Sequence, residues 1–404
     1  MEFDIEKLKS KHKMLKEFSF EKKEVQKGYA DQTLYINISD NDIQVKPVSE
    51  EMKKTFTGGK GFNLKLMWDA INDDTKWDSP ENVINIATGP IGGNTSYAGS
   101  GKSLVTSISP LTNIPIDSNV GGYFGPYLKF SGFDAMEIQG KADQEIIVYI
   151  DGNNGKIQIF EAPEEAIDSH VIAEQMVEMF AENEKEKQHI ASVSAGTGAQ
   201  NSFIGCLNFS FYDKRRKVAR LKQAGRGGIG TVLRDKKIKA LVVKYSGLTG
   251  NSNNAVDVKT VQQTGLKLHK EIIELDDQQC HMRKVGTAHL TEIMNEYDLL
   301  PTHNYKFGSH EEADKLSSDV FYNKFLTKGL PDGCWFGCTM ACAKTADKFE
   351  LLTGPYKGDK VTVDGPEYET VGGCGSNLGI WDAQAVLEIN FYCDTYGMDT
   401  ISFG

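Results

Sequence analysis

The chain has 404 residues, 39% of them hydrophobic and 25% charged, which is ordinary for a globular protein of two or three domains. Its formal net charge of −11 argues against nucleic acid or an anionic membrane surface as the main partner. No apolar run approaches the roughly 18 residues of a membrane span, and the acidic N-terminus lacks a signal-peptide core, so a reduced, cytoplasmic protein is expected.

Residues 1–28 are rich in Lys and Glu and read as a helical extension. Strand alternation begins at Leu34, Ile36 and Ile38. Gly58-Gly59-Lys60-Gly61 opens a helical stretch through Leu64, Leu66 and Met67, and Val83 to Ile86 is the next strand. Ser96 to Ser103 resembles a phosphate-binding P-loop, but Ser96 stands where glycine is required. Leu104 to Ser109 then reads as a strand, whereas a P-loop opens a helix. A close backbone turn carrying the cation Lys102 is the better reading.

Asn119 to Pro126 is a second glycine turn. Strands follow at 135–138 and 146–150, a hairpin loop at 151–155, a helix over 164–186 and a strand over 189–193. Gln223 to Gly230 contains a formal G-x-G-x-x-G. The cationic run Lys214 to Lys217 before it is not strand-like, and Lys244 stands where a dinucleotide site wants an acid, so the dinucleotide reading is weak. A glycine loop carrying Arg226 suits an anionic ligand, and an ordinary tight turn is the alternative. Residues 29–246 thus read as one β-rich domain. Gly247 to Asn254 is a linker, and 247–404 reads as a mainly helical domain, with helices at 257–275, 286–297 and 312–328. His281, His289, His303 and His310 lack metal-site spacing and read as surface or capping residues.

Cys334, Cys338 and Cys342 follow, spaced C-x3-C-x3-C. On a helix they would share one face; in a loop, Gly333 and Gly337 would let the chain wrap around a ligand. Three neighbouring thiolates suit an Fe–S cluster or zinc. Three small buried hydrophobes are the alternative. Gly365 to Thr370 places two acids, Glu367 and Glu369, around a tyrosine. A helix capped by Asp382 is expected to stop at Gly397, with Asp394 and Asp399 on either side of the stop. Two solvated acids at a helix end is the plain reading there.

Taken together, these motifs resemble the tungsten-containing aldehyde:ferredoxin oxidoreductase family, from about Gln32 to the last residue. The motifs that carry the resemblance are Gly58 to Gly61, Ser109 to Thr112, Asn119 to Pro126, Ala224 to Gly228, Gly365 to Thr370 and Asp394 to Asp399. The resemblance implies an α+β fold: a β-rich N-terminal domain that forms the base for a tungsten (or molybdenum) bis-pterin, and a mainly helical domain that carries a [4Fe-4S] cluster. It implies pterin contacts at Asn119, Gly121, Ala224, Arg226, Asp394, Gly397 and Asp399, and a proton-carrying acid at Glu369. Cys334, Cys338 and Cys342 become cluster ligands, and Lys102 occupies the place of an arginine that bridges cluster and pterin.

The triplet has one residue more than the family's C-x2-C-x3-C. No intersubunit iron is expected at Glu388, because the E-x-x-H pattern is not met. The second pterin motif and the fourth cluster cysteine are expected beyond Gly404; Cys374 and Cys393 do not stand at the family position. The implied reaction is aldehyde oxidation to a carboxylate, with electrons passing through the cluster to ferredoxin or an electron-transfer subunit. The alternatives are a class II benzoyl-CoA reductase-like subunit acting on an acyl-CoA, and a non-catalytic Fe–S module. Homo-oligomerisation is left open.

Overall fold

The computed structural model describes residues 4–162, 168–329 and 332–404. The first 244 residues carry strands β1 (Met14–Ser19), β2 (Gln32–Asn37), β3 (Asp42–Pro47), β4 (Ile84–Ala87), β5 (Ser103–Ile108), β6 (Pro115–Val120), β7 (Ala135–Gln139), β8 (Ile146–Asp151), β9 (Lys156–Glu161), β10 (Ile190–Ser194), β11 (Leu207–Asp213), β12 (Val218–Ala224) and β13 (Ile238–Lys244). They form two mixed sheets, one ordered β3-β2-β7-β4-β5-β6 and the other β1-β9-β8-β13-β10-β11-β12.

The helix Phe124–Phe130 is buried at every position, and the helix Ile229–Asp235 at every position except Asp235. Each contacts strands of both sheets, so the two helices fill the layer between them. Leu34, Ile86, Val105, Val148, Val193 and Leu241, from strands of both sheets, all belong to this one core. The helix Ser169–Phe180 covers the other face of the seven-stranded sheet, and Lys60–Ala70 covers the outside of the six-stranded one. Burying a large apolar side chain such as Phe124 contributes about 1.5–3 kcal/mol, so this layer dominates the stability of the β-rich half.

After β13 the chain is mainly helical, from Val258–Gln278 to Ala383–Tyr396, with one antiparallel hairpin, β14 (Thr345–Glu350) and β15 (Lys360–Asp364). A separate apolar cluster, with Phe321, Phe349, Val363, Leu387 and Phe391, holds it together. The α+β class is therefore observed. No helix among the described residues is long and apolar enough to cross a membrane.

Several local expectations change. Residues 1–28 are not simply helical: after the Ile5–Lys11 helix, β1 pairs with β9 at the edge of the larger sheet. Its Lys and Glu residues fit because an edge strand shows most of its side chains to water. Of the helix expected at 164–186, residues 164–167 lie outside the described residues; the helix itself is Ser169–Phe180, capped by Asp168. A strand, β12, does run directly into the 225–228 loop, because the cationic run is only the turn before it and the strand's own cations are buried in ion pairs. Of the surface and capping readings, His289 takes the second: it is buried at the N-cap of the Leu290–Glu296 helix, with its Nδ1 3.0 Å from the Gly286 carbonyl.

Candidate cofactor cavity and cysteine loop

A cavity of about 640 Å³ opens between the β-rich half and the helical half. The β-rich half contributes Lys102, Asn119, Gly121, Lys222, Gly225 and Arg226; the helical half contributes Cys334, Cys342, Glu367, Glu369, Asp394 and Asp399. Nine of the twelve residues singled out from the sequence line it. The other three are Ala224, Gly397 and Cys338. Ala224 ends β12 and is buried behind the loop. Gly397 is the left-handed cap of the Ala383–Tyr396 helix, and a Cβ there would meet the Gly196 nitrogen at 2.7 Å. Its N–H bonds the Asp394 carbonyl while the Met398 N–H reaches the Cys393 carbonyl, the paired bonds of a Schellman stop. Ala224 and Gly397 therefore shape the wall without lining it.

Each wall has a local cause. β6 is held to β5 in the register Leu104↔Asn119, which delivers Asn119 to the cavity and brings the chain to Gly121. Arg226 sits on the loop between β12 and the Ile229–Asp235 helix, with its Nε 3.3 Å from Asp399 Oδ2. Asp399 also accepts from Ile401 N–H and the Ser402 hydroxyl, so it caps the short Thr400–Phe403 helix as well. Gly225 has open space where a side chain would stand, which leaves its backbone reachable from the cavity.

Asp394 is buried, and the only side-chain donor it has among the described residues is Asn390 Nδ2 at 2.9 Å. Burial pushes its carboxyl up to about 7, against the pull of His170 and with the push of Asp364. A folded pKa above the unfolded value of about 4 means the site's stability contribution is whole below pH 4 and lost as pH rises through 7. Asp394→Asn is therefore expected to gain about 1–3 kcal/mol relative to the parent protein between pH 5 and pH 8. Thermal melts of both proteins at the two pH values check this; parallel shifts at both would refute it.

Sequence reading missed Lys222, Asp364 and Arg220. Lys222 Nζ lies 3.3 Å from Asp364 Oδ1. Burial, the largest influence, would lower the lysine's pKa, but Asp364 together with Glu367 and Cys334 leaves it raised. Burial likewise works against the Asp364 carboxylate, yet Arg220 and Lys222 hold it far below the usual range. The available signal was the alternation Arg220, Lys222, Ala224 along one face of β12, opposite the apolar Ala219 and Leu221.

The cysteine stretch is a loop, not a helix, and it is pinned on every side. Asp332 receives Arg215, Arg216 and Arg220 at 2.9–3.1 Å. Trp335, 2% exposed, packs where Gly101 leaves room, and its indole N–H points to the Asn94 carbonyl at 3.3 Å. Gly337 lies against the Thr95 carbonyl, where any Cβ would sit 2.2 Å away. Lys344 Nζ donates to the carbonyls of Ala341 and Arg283. So the run resembling a P-loop is the floor under the cysteines, and its turns lead into β5 rather than a helix.

The neighbouring thiols of Cys334 and Cys338 influence each other's titration. Their interaction holds Cys338 low and Cys334 high, with backbone N–H groups adding to the pull on Cys338. Burial pushes Cys342 up. Among the described residues no three His, Cys, Asp or Glu side chains are gathered into a closed metal-holding set. The donor chemistry nevertheless fits a thiolate-bound cluster: three soft sulfurs, with Lys102 and Lys222 close enough to favour the Cys334 thiolate. A Cβ on Gly121 would lie 2.6 Å from Cys334 Cβ and 2.9 Å from its sulfur. Gly121→Ala is expected to displace Cys334 and cost about 1–3 kcal/mol. Chemical denaturation and the rate of thiol labelling read the two effects; unchanged values would refute the contact.

Three other candidates have structural roles. Glu388 accepts the backbone N–H groups of Leu352 and Thr353. Cys374 and Cys393 are buried against each other and do not line the cavity.

Known proteins match this chain over nearly its whole length. The family described as "Aldehyde ferredoxin oxidoreductase, N-terminal domain" matches residues 33–245, and "Aldehyde ferredoxin oxidoreductase, domains 2 & 3" matches residues 263–404. The chain is 31% identical to a tungsten-containing aldehyde ferredoxin oxidoreductase of Pyrococcus horikoshii, over 93% of this chain and 57% of the relative. It is 32% identical to the protein of the same description from Pyrococcus furiosus, over 91% of this chain and 56% of the relative. An aliphatic sulfonate oxidoreductase, WOR-like subunit, of Pyrococcus furiosus is 26% identical, over 93% and 58%. The chain therefore spans little more than half the length of these relatives. Among solved structures, the active site complex BamBC of benzoyl coenzyme A reductase shares the fold, with a TM-score of 0.70 at 19% identity, covering 93% of this chain and 54% of that one. With both halves of the chain matched in order and the cavity formed between them, this chain belongs to the aldehyde ferredoxin oxidoreductase family.

Proposed function

We propose that this chain forms the catalytic cavity of a tungsten (or molybdenum) bis-pterin oxidoreductase that oxidises an aldehyde to a carboxylate and passes the electrons through a [4Fe-4S] cluster to ferredoxin. The observation that carries the reading is the cavity in which buried acids, two lysines, an arginine and two of the three cysteines meet. The balanced reaction is aldehyde plus water giving carboxylate, three protons and two electrons.

When bound, the metal–pterin supplies the two-electron acceptor for this oxidation. The residues of this chain do the rest. Asp394 is a buried carboxylate short of donors, so a heterocycle edge that offers N–H groups stabilises its charged form. Asn119 and the open backbone at Gly225 present polar atoms to the same ligand, and Arg226 places a cation at the rim. Asp399, tied to Arg226 and to the Thr400–Phe403 helix, fixes where that rim lies. Cys334, Cys338 and Cys342 would hold the cluster, and Lys102 and Lys222 offset the charge of their thiolates. Glu369, exposed on the cavity wall, is placed to carry protons between the site and water.

The test is an anaerobic assay of protein loaded with tungsten or molybdenum. Aldehyde-dependent reduction of ferredoxin supports the reading; reduction that depends on an aromatic acyl-CoA and not on an aldehyde overturns it.

A further inference from the structure

The cysteine loop divides two cavities. Cys334 and Cys342 line the inner one described above, and Cys338 lines an outer pocket of about 630 Å³ on the opposite side. We propose that this outer pocket is the docking surface for an acidic electron-carrier protein, so that electrons cross the loop from one cavity to the other. The proposal rests on the function proposed above and locates its exit on this chain.

Charge complementarity is the first argument. The chain as a whole carries −11, yet Lys214, Arg215 and Arg283 ring this pocket together with His269, and Asp213 is the carboxylate among its lining residues. Asp213 is already engaged by Arg216 and Arg220. A cationic patch attracts an acidic partner, whereas two copies of the chain set patch to patch would oppose like charges. The second argument is apolar. Phe336 is 60% exposed at the pocket, and its ring is held by Tyr123 at 4.6 Å and Trp335 at 5.4 Å. A rigid exposed ring beside cations is the anchor type that protein interfaces use.

A small anion is the poorer occupant. Arg215 turns its guanidinium to Asp332 and Asp213, and Arg283 gives its Nε to the Thr339 carbonyl. The Arg215 fork is thus committed to the protein, and Arg283 Nη1 leans to Asp277 at 3.9 Å, so neither offers a free fork for phosphate. A carrier seated on Phe336 stands close to Cys338, which lines the same pocket. Each encounter moves one electron to one oxidised carrier, so two carriers leave reduced for each aldehyde oxidised.

The test measures binding of a purified acidic low-potential ferredoxin to the protein, to Lys214→Glu/His269→Glu, and to Lys54→Glu as a distant charge reversal. The double variant is expected to bind about tenfold more weakly at low salt, with the difference shrinking as salt rises. Lys214→Glu alone should show part of the loss, and thermal melts check that each variant is folded. Ferredoxin binding by the double variant equal to that of Lys54→Glu overturns the proposal. Saturable binding of pyrophosphate that the double variant loses also overturns it, and assigns the pocket to a small anion. Tungsten and iron contents of the same preparations judge the proposed function separately, since binding is read whether or not metals are loaded.

Discussion

Cys338→Ser is expected to lower iron and labile sulfide in anaerobically purified protein and to abolish the reduced-state EPR signal of a cluster. Serine keeps the size of the side chain but replaces a soft ligand with a poor one. The structure sharpens the choice of residue. Cys338 is the member of the triplet that its neighbours favour as thiolate, through Cys334 and nearby backbone N–H groups. It is also the one that does not line the cofactor cavity, so its loss leaves that wall intact. Stability should change little, because the loop remains anchored by Asp332, Trp335 and Gly337. Iron unchanged in a folded variant would leave the thiols as packing groups, and zinc in place of iron would mark a structural site.

Glu369→Gln is expected to cut aldehyde turnover by about 10²-fold or more while tungsten and iron stay at parent levels. The proposed reaction would release protons as electrons depart, so it calls for a titrating group that connects the cavity to water. Two acids stand together there, in different surroundings. Glu367 accepts the Thr287 hydroxyl and precedes the short Tyr368–Val371 helix, so it is tied to the fold. Glu369 lies within that helical turn, exposed, on the cavity wall. An extended segment would have aimed the two acids alike; the helical turn points them apart. Turnover within about threefold of the parent, with metals intact, would reject the role; loss of metals together with activity would make Glu369 structural.

Much of the β-rich half is legible from local pattern. Leu34, Ile36 and Ile38 alternate, Asp151 to Gly155 turns back, and Ile146 to Ile150 is a continuous apolar strand. The helix stop at Gly397 is legible too, because only a residue tolerant of positive φ fits there. Other features depend on distant partners and leave no local trace. β14 and β15 look polar because much of each stays at least partly exposed, and their buried polar members Thr345 and Asp364 are matched by Arg220 of the other half. The Phe124–Phe130 helix reads as part of a glycine turn, since its burial between two sheets removes any amphipathic period. The run 214–217 looks like solvated charge, yet the half-buried Arg216 is held by acids more than 100 residues away. At the site, glycines and acids are visible as motifs. That Lys222 joins them is not, because its partner Asp364 comes from the other half of the chain.

The functional reading turns on one cavity, built by both halves of this chain, holding a metal–pterin beside a thiolate-bound cluster. Elemental analysis of anaerobically purified protein probes that pairing without an assumed substrate, with Asp394→Ala and Cys338→Ser measured alongside. Tungsten or molybdenum together with iron is expected in the parent protein, with loss of the pterin metal in Asp394→Ala and loss of iron in Cys338→Ser. Parent protein produced with both metals supplied, folded and yet free of tungsten, molybdenum and iron, would refute the reading.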